Sequence, residues 1–164
     1  MLGQNVRFAR RTVVLKHIAG VFLLLLVSRT VGAESVEPLL NCAPEGVAVG
    51  GYDLVSYHHD DGPVRGVAEH SARAEGLTYY FATAANLDRF RKSPEQFLPV
   101  YRGYCAATLA MGRLACPDYT NFKIEGGRLL LFEVTGFTNG KTLWNSDPTG
   151  FRQRADTNFP RLVP

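Results

Sequence analysis

The stretch of sequence that decides the fold is 70–97, HSARAEGLTYYFATAANLDRFRKSPEQF. Its first half predicts a β-hairpin around Glu75-Gly76, because a glycine that tolerates positive φ separates two runs of strand-forming residues. Its second half predicts a short helix over 86–92, for which Thr83 is the candidate N-cap. A hairpin that leads directly into a helix indicates an α+β arrangement.

The sequence on either side of this stretch predicts more elements of the same kind. A second hairpin is expected over 120–134 around a Glu-Gly-Gly turn, and 53–57 has the pattern of a short strand. Helices are expected over 103–111, 136–146 and 148–158. The predicted fold is therefore an α+β domain in which a small antiparallel sheet, built from hairpins, packs against several short helices.

The first 33 residues are predicted to be a secretory signal peptide. Basic residues over 7–16 precede the apolar run Ile18–Val27, and Val31-Gly32-Ala33 supplies the small residues that a signal peptidase recognises. The apolar run is too short for a membrane-spanning helix, so contact with the membrane is expected only during export. The mature protein is then periplasmic or extracellular, and 34–46 forms an irregular leader.

Two alternatives for this segment stay open. The segment is also compatible with an amphipathic anchor that is not cleaved. Arg10-Arg11-Thr12-Val13-Val14 fits a minimal twin-arginine signal, whereas the leucine-rich run is more typical of the general secretory route.

The charge of the mature chain argues against a nucleic-acid partner. Five of the 18 Lys and Arg residues precede residue 34 and all 15 Asp and Glu residues follow Ala33, so 13 basic residues face 15 acidic ones after cleavage and the net charge is −2. A chain of this charge has no basic footprint for nucleic acid. Its 164 residues suffice for one domain with a core.

Several short phrases follow one another along this chain in a characteristic order. They are the pair His70-Ser71, an aromatic strand, and a helix that carries a Phe before a Pro and an aromatic residue. This order resembles the YHS domain family, and two further phrases, Gly51–Tyr57 (GYDLVSY) and Tyr101–Cys105 (YRGYC), are similar to those of its exported single-domain branch. The resemblance covers 47–163. The matching landmarks are Tyr79, Tyr80, Phe81, Phe90, Pro94, Phe97 and the Trp-bearing segment Lys141–Trp144.

The chain departs from the family pattern at its cysteines. Ser56, Ala82 and Asn86 stand where the family phrases carry cysteine. The resemblance thus implies the fold more strongly than it implies the family's chemistry.

The resemblance implies a module that handles metals, copper in particular. The candidate ligands are Cys105 and His70, which fall in family phrases, together with His58 and His59 in the loop beside the first strand. Copper(I) prefers thiolate and imidazole and needs only two or three such ligands. The prediction is a non-catalytic protein that binds a copper ion or a small ligand.

Each of these residues also has a simpler structural explanation. A histidine on a strand, such as His70, is commonly hydrogen-bonded to its neighbours. His58 and His59 precede two aspartates and fit a solvated loop. Cys105, in an Ala-rich segment, fits a small buried apolar residue.

The three cysteines of the mature chain limit the possible pairings. Export permits disulfide bonds, and an odd number leaves one cysteine unpaired or uses all three otherwise. Cys42 and Cys116 lie outside the family phrases, so they are predicted to pair and to leave Cys105 free. The rival pairing, Cys105 with Cys116, would remove the only soft ligand.

Catalysis finds no support in the motifs. The sequence has no Ser-centred nucleophile elbow, no H-E-x-x-H and no phosphate-binding glycine loop, so the chain is predicted not to be an enzyme. The alternative function comes from another class. The missing family cysteines favour an interaction module that docks a partner protein on a YHS scaffold after losing its metal site.

Overall fold

A computed structural model describes residues 42–163, and all elements given below lie in that range. The predicted signal peptide over 1–33 and the first part of the leader, 34–41, lie outside the described residues. The rest of the leader makes a turn and a single 3-10 turn over Pro44–Gly46. Between residues 42 and 163, no helix is both long and apolar enough to cross a membrane.

The first hairpin forms as predicted. β1 (Val67–Ala74) pairs antiparallel with β2 (Leu77–Phe81) around Glu75-Gly76, whose φ angles are 49° and 80°. β2 alternates buried and half-buried residues, because successive side chains of a strand point to opposite faces. Its buried residues are Leu77, Tyr79 and Phe81.

Helix α1 (Ala84–Lys92) follows β2 and packs against it. The hydroxyl of Thr83 accepts a hydrogen bond from the Asn86 amide at 3.1 Å, which confirms Thr83 as the N-cap. The Phe90 ring lies 4.9 Å from that of Phe81. A second short helix, α2 (Pro94–Phe97), begins with a proline whose missing N–H would have no intrahelical partner.

The second hairpin supplies the central strand of the domain. β3 (Asp118–Glu125) pairs antiparallel with β4 (Arg128–Phe132), and Leu129, Leu130, Leu131 and Phe132 are all fully buried. A continuous apolar run such as Leu129–Phe132 is typical of a strand that is buried on both faces, and β4 is buried in this way.

The remaining elements pack around β4. α3 (Ala106–Ala110) precedes the second hairpin, and the two-residue strands β5 (Val134–Thr135) and β6 (Thr138–Asn139) follow it. The chain ends in α4 (Gly140–Ser146) and α5 (Pro148–Leu162). The predicted α+β fold is confirmed, and its strands form three separate two-stranded sheets.

β4 separates two hydrophobic cores. Leu129 and Leu131 belong to a core shared with β2, α1 and α2, whereas Leu130 and Phe132 belong to a core under α3, α4 and α5. We call these the hairpin core and the helical core.

The predicted strand at 53–57 does not form. The Asp53 carboxylate accepts a hydrogen bond from the Val55 amide at 2.8 Å, and the Ser56 hydroxyl donates to the Asp53 carbonyl at 2.6 Å. Such local bonds favour a turn over an extended chain. Ser56–His58 is accordingly a 3-10 turn.

The predicted disulfide is present. Cys42 and Cys116 are bonded, with their Cα atoms 5.2 Å apart, and Cys105 is a buried free thiol. The rival pairing of Cys105 with Cys116 is therefore excluded.

Candidate functional site

Cys105 lies in the helical core and acts as the cap of α3. Its side chain is fully buried, and its sulfur accepts a hydrogen bond from the Thr108 amide at 3.5 Å. The sulfur also lies only 3.3 Å from where a Cβ on Gly140 would stand. The position therefore matches the simpler explanation, a small buried residue, here with a capping role.

The three predicted histidine ligands lie on two different elements. His70 is half-buried on β1. His58 ends the 3-10 turn and His59 follows it, and both line one cleft on the side of the hairpin core. His70 is not among the residues that line this cleft.

The structure does not assemble the predicted copper ligands into one group. Within residues 42–163, no three His, Cys, Asp or Glu residues are placed so that they could hold a metal ion. Cys105 is in the helical core, whereas His58 packs edge-on against Phe97 of the hairpin core, with ring centroids 5.4 Å apart. Cys105 and His58 therefore pack into separate cores.

The cleft that His58 and His59 line has a volume of about 400 Å³, and we call it the histidine cleft. It forms where the 3-10 turn meets the last turn of α1 and helix α2. This volume falls in the range of small-molecule sites. The other residues that line it are Val55, Arg89, Lys92, Gln96 and Phe97.

His58 carries a buried nitrogen that lacks a partner. Its Nε2 atom is shielded from solvent and makes no hydrogen bond with any residue in the described part of the chain. Burial, and then the neighbouring His59, lower the pKa of His58, which keeps its ring neutral near pH 7. An unpaired buried polar atom costs about 1–3 kcal/mol, so it calls for an explanation such as a bound molecule.

His59 faces a cation. Its Nε2 lies 3.4 Å from Nη1 of Arg89. A guanidinium group has donors only, so the imidazole nitrogen is the acceptor in this contact. A metal cation at the same nitrogen would have to displace the guanidinium and would be repelled by it.

Arg89, Lys92 and Gln96 were not predicted as site residues. Arg89 and Lys92 are three positions apart at the end of α1, which places them on the same helix face. That spacing is visible in the sequence, but it is equally typical of basic residues that favour a helix C-terminus. Only the packing of α1 beside the 3-10 turn brings them to the two histidines.

A second cavity, of about 450 Å³, lies between the segment 45–51 and two tyrosines, Tyr80 and Tyr119. Its cation, Arg65, already donates to the Gly50 carbonyl and stacks 4.3 Å from the centre of the Tyr52 ring. This cation therefore has partners within the described part of the chain, whereas the buried Nε2 of His58 has none there, so the histidine cleft is the stronger candidate site.

The resemblance to the YHS domain family stays a prediction from the sequence phrases. When the chain is compared with protein-family models, with curated proteins and with solved structures, nothing matches it.

Proposed function

We propose that this protein is an exported, non-catalytic binding domain with a YHS-like scaffold, and that it holds a small ligand in the histidine cleft. The observation that carries the proposal concerns His58, which lines a cleft of about 400 Å³ and whose buried Nε2 has no hydrogen-bond partner among residues 42–163. A hydrogen bond to a molecule in the cleft, reached by rotation of the imidazole ring, would remove the cost of that unpaired atom.

Export is supported by two independent features. The sequence begins with a segment that has the pattern of a secretory signal peptide. The Cys42–Cys116 disulfide is compatible with an oxidising compartment, where such bonds persist.

Copper is the second candidate ligand. The observation that favours it is the presence of two imidazoles in one cleft, one of them kept neutral by burial, since neutral imidazole is the form that binds metals. Two such ligands are sufficient to coordinate copper(I). The positive charge of the Arg89 guanidinium beside His59 would repel a copper ion, which argues against this candidate.

The test uses full-length chain expressed in a bacterial host and purified from the exported fraction, labelled with ¹⁵N. Amide spectra are recorded during titration with Cu(I), held by a competing chelator, and with a panel of neutral, anionic and cationic fragments. We expect at least one of these probes to shift the amides of 55–59, 89–92 and 96–97. The shifts should be lost in His58→Asn, which removes the nitrogen at the Nε2 position, and kept in His58→Gln, which retains a polar group there.

Two control variants separate the candidates. Probe binding should be unchanged in His70→Asn and in Cys105→Ala, because neither residue lines the cleft. If every probe leaves the amides of the cleft unmoved, the proposed function is wrong and the interaction module becomes the better description. If the shifts persist in His58→Asn, the role assigned to the His58 nitrogen is wrong.

A further inference from the structure

We infer that the ligand of the histidine cleft is a small organic anion, a carboxylate on a short apolar body. The inference rests on the proposed function, because it names the ligand class of the same site. The juxtaposition that carries it is two cations, Arg89 and Lys92, that have no carboxylate partner among residues 42–163, together with the His58 imidazole, around an apolar floor.

The charged side chains that line the cleft are all positive. Arg89 and Lys92 line the cleft, and the lining includes no Asp or Glu. Asp60 and Asp61 follow His59 in the sequence, but they are exposed and do not line the cleft. A cleft with walls of one sign attracts ligands of the opposite sign.

These two cations lack the carboxylate partners that other basic residues have. Over residues 42–163, neither Arg89 nor Lys92 forms a salt bridge with a carboxylate. Arg91, on the same helix, turns away and donates to the Ser71 carbonyl at 3.4 Å. The basic residues that do pair with a carboxylate are Arg102, Arg113, Lys123, Arg152 and Arg154.

The donors of the cleft suit a carboxylate. The Arg89 guanidinium carries five N–H donors in a planar fork, and a carboxylate can accept two of them in parallel. The Lys92 ammonium adds a point charge, and the His58 ring or the Gln96 amide can donate to a remaining lone pair of the carboxylate.

The rest of the wall suits an apolar body. Val55 and Phe97 are buried residues of the hairpin core that also line the cleft. A space of about 400 Å³ is much larger than an inorganic anion needs, since one water molecule in the liquid occupies about 30 Å³. An aromatic or branched acid would fill more of this space and bury apolar surface against Phe97.

The test compares probes of matched shape and different charge on the exported protein at pH 7. Sodium benzoate, neutral benzamide, cationic benzylamine and inorganic phosphate are titrated, with amide shifts locating each site. We expect benzoate to bind in the cleft roughly tenfold more tightly than benzamide, and benzylamine and phosphate to bind more weakly than benzoate. Arg89→Gln and Lys92→Gln should each weaken benzoate binding about fivefold and leave benzamide binding unchanged.

Arg161→Gln is the matched control, because it removes the same charge from an exposed residue in the last turn of α5 that does not line the cleft. Benzoate binding should be unaffected by it, and melting curves check that all three variants fold.

Benzamide or benzylamine that binds in the cleft as tightly as benzoate would overturn the anion assignment while leaving the proposed function standing. Phosphate that binds as tightly as benzoate would overturn the assignment of an apolar body. If no probe of any charge reaches the cleft, the proposed function itself fails.

Discussion

The Glu125 side chain connects three elements of this protein. Its carboxylate accepts hydrogen bonds from Lys123 at 2.7 Å, from the Trp144 indole at 3.1 Å and from Arg152. These donors come from β3, α4 and α5, so the carboxylate joins the second hairpin to the two terminal helices. Burial raises the pKa of Glu125, but the hydrogen bonds outweigh burial and lower the pKa to about 2.

We expect Glu125→Gln to lower the free energy of unfolding by about 1–2 kcal/mol at pH 7, because the amide loses the charge that its cationic partners face. A carboxyl group with a lowered folded-state pKa stabilises above its unfolded pKa, and this contribution is lost as the pH falls. For Glu125 the loss runs from an ordinary pKa of 4.5 down to about 2. Urea denaturation at several pH values should show a shallower decline over this window in the variant.

Glu133→Gln is the control variant for Glu125→Gln. Glu133 has one cationic partner, Arg113, at 3.5 Å, and that side chain is 60% exposed. Its loss should cost less than about 0.5 kcal/mol. Equal costs for the two variants would contradict the role assigned to Glu125.

The 3-10 turn that carries His58 is held by Asp53 rather than by strand pairing. Asp53 is fully buried, and its carboxylate accepts from the Val55 amide at 2.8 Å, the Ala82 amide at 2.8 Å and the Asn86 side chain at 2.7 Å. These bonds tie the turn to the end of β2 and the first turn of α1. The placement of the histidine cleft therefore depends on one acidic side chain outside the cleft.

We expect Asp53→Asn to lower the free energy of unfolding by about 2–3 kcal/mol, because the amide would turn an N–H₂ group toward backbone N–H donors that then lose their acceptor. Urea denaturation measures the loss. Asp118→Asn is the control, because the carboxylate of Asp118 accepts local bonds, from Thr120 at 2.8 and 2.7 Å, at the exposed start of β3. If Asp53→Asn is as mild as Asp118→Asn, the turn does not depend on this carboxylate.

Among the elements of the fold, those set by local sequence signals could be predicted, whereas the 3-10 turn Ser56–His58 could not. The Glu75-Gly76 turn, the Thr83 cap and the proline that opens α2 all act through neighbouring residues. The segment 53–57 has the residue types of a strand, but its conformation follows from contacts with residues 82 and 86. The pattern of five consecutive residues carries no information about contacts with residues about 30 positions away in the sequence.

For the whole molecule, the Cys42–Cys116 disulfide closes a loop with a sequence separation of 74 residues. The Tyr119 hydroxyl also donates to the Cys42 carbonyl, so the segment before the first hairpin is tied both to β3 and to the residues just before that strand. A crosslink over such a loop restricts the unfolded chain and stabilises by about 4 kcal/mol in the chain-entropy model.

Reduction should therefore lower the melting temperature substantially, as measured by circular dichroism with and without a phosphine reductant. The double variant Cys42→Ser/Cys116→Ser should melt at the temperature of the reduced protein, and adding the reductant should not change its melting temperature. Under oxidising conditions, Cys105 should stay unreactive toward Ellman's reagent until the protein unfolds, because it is fully buried. A reduced protein that melts at the original temperature would contradict this account.

The sequence by itself determined the local elements of this protein, namely its two main hairpins, the start of α1 and the doubly buried strand β4, because turns, caps and apolar runs act over a few residues. Only the tertiary structure decided where the site residues meet. Because side chains alternate along β4, its two faces support separate cores, with Cys105 packed into one and His58 against the other. The same packing brings the end of α1 to His58 and His59, and so it places Arg89 and Lys92 in one cleft with them.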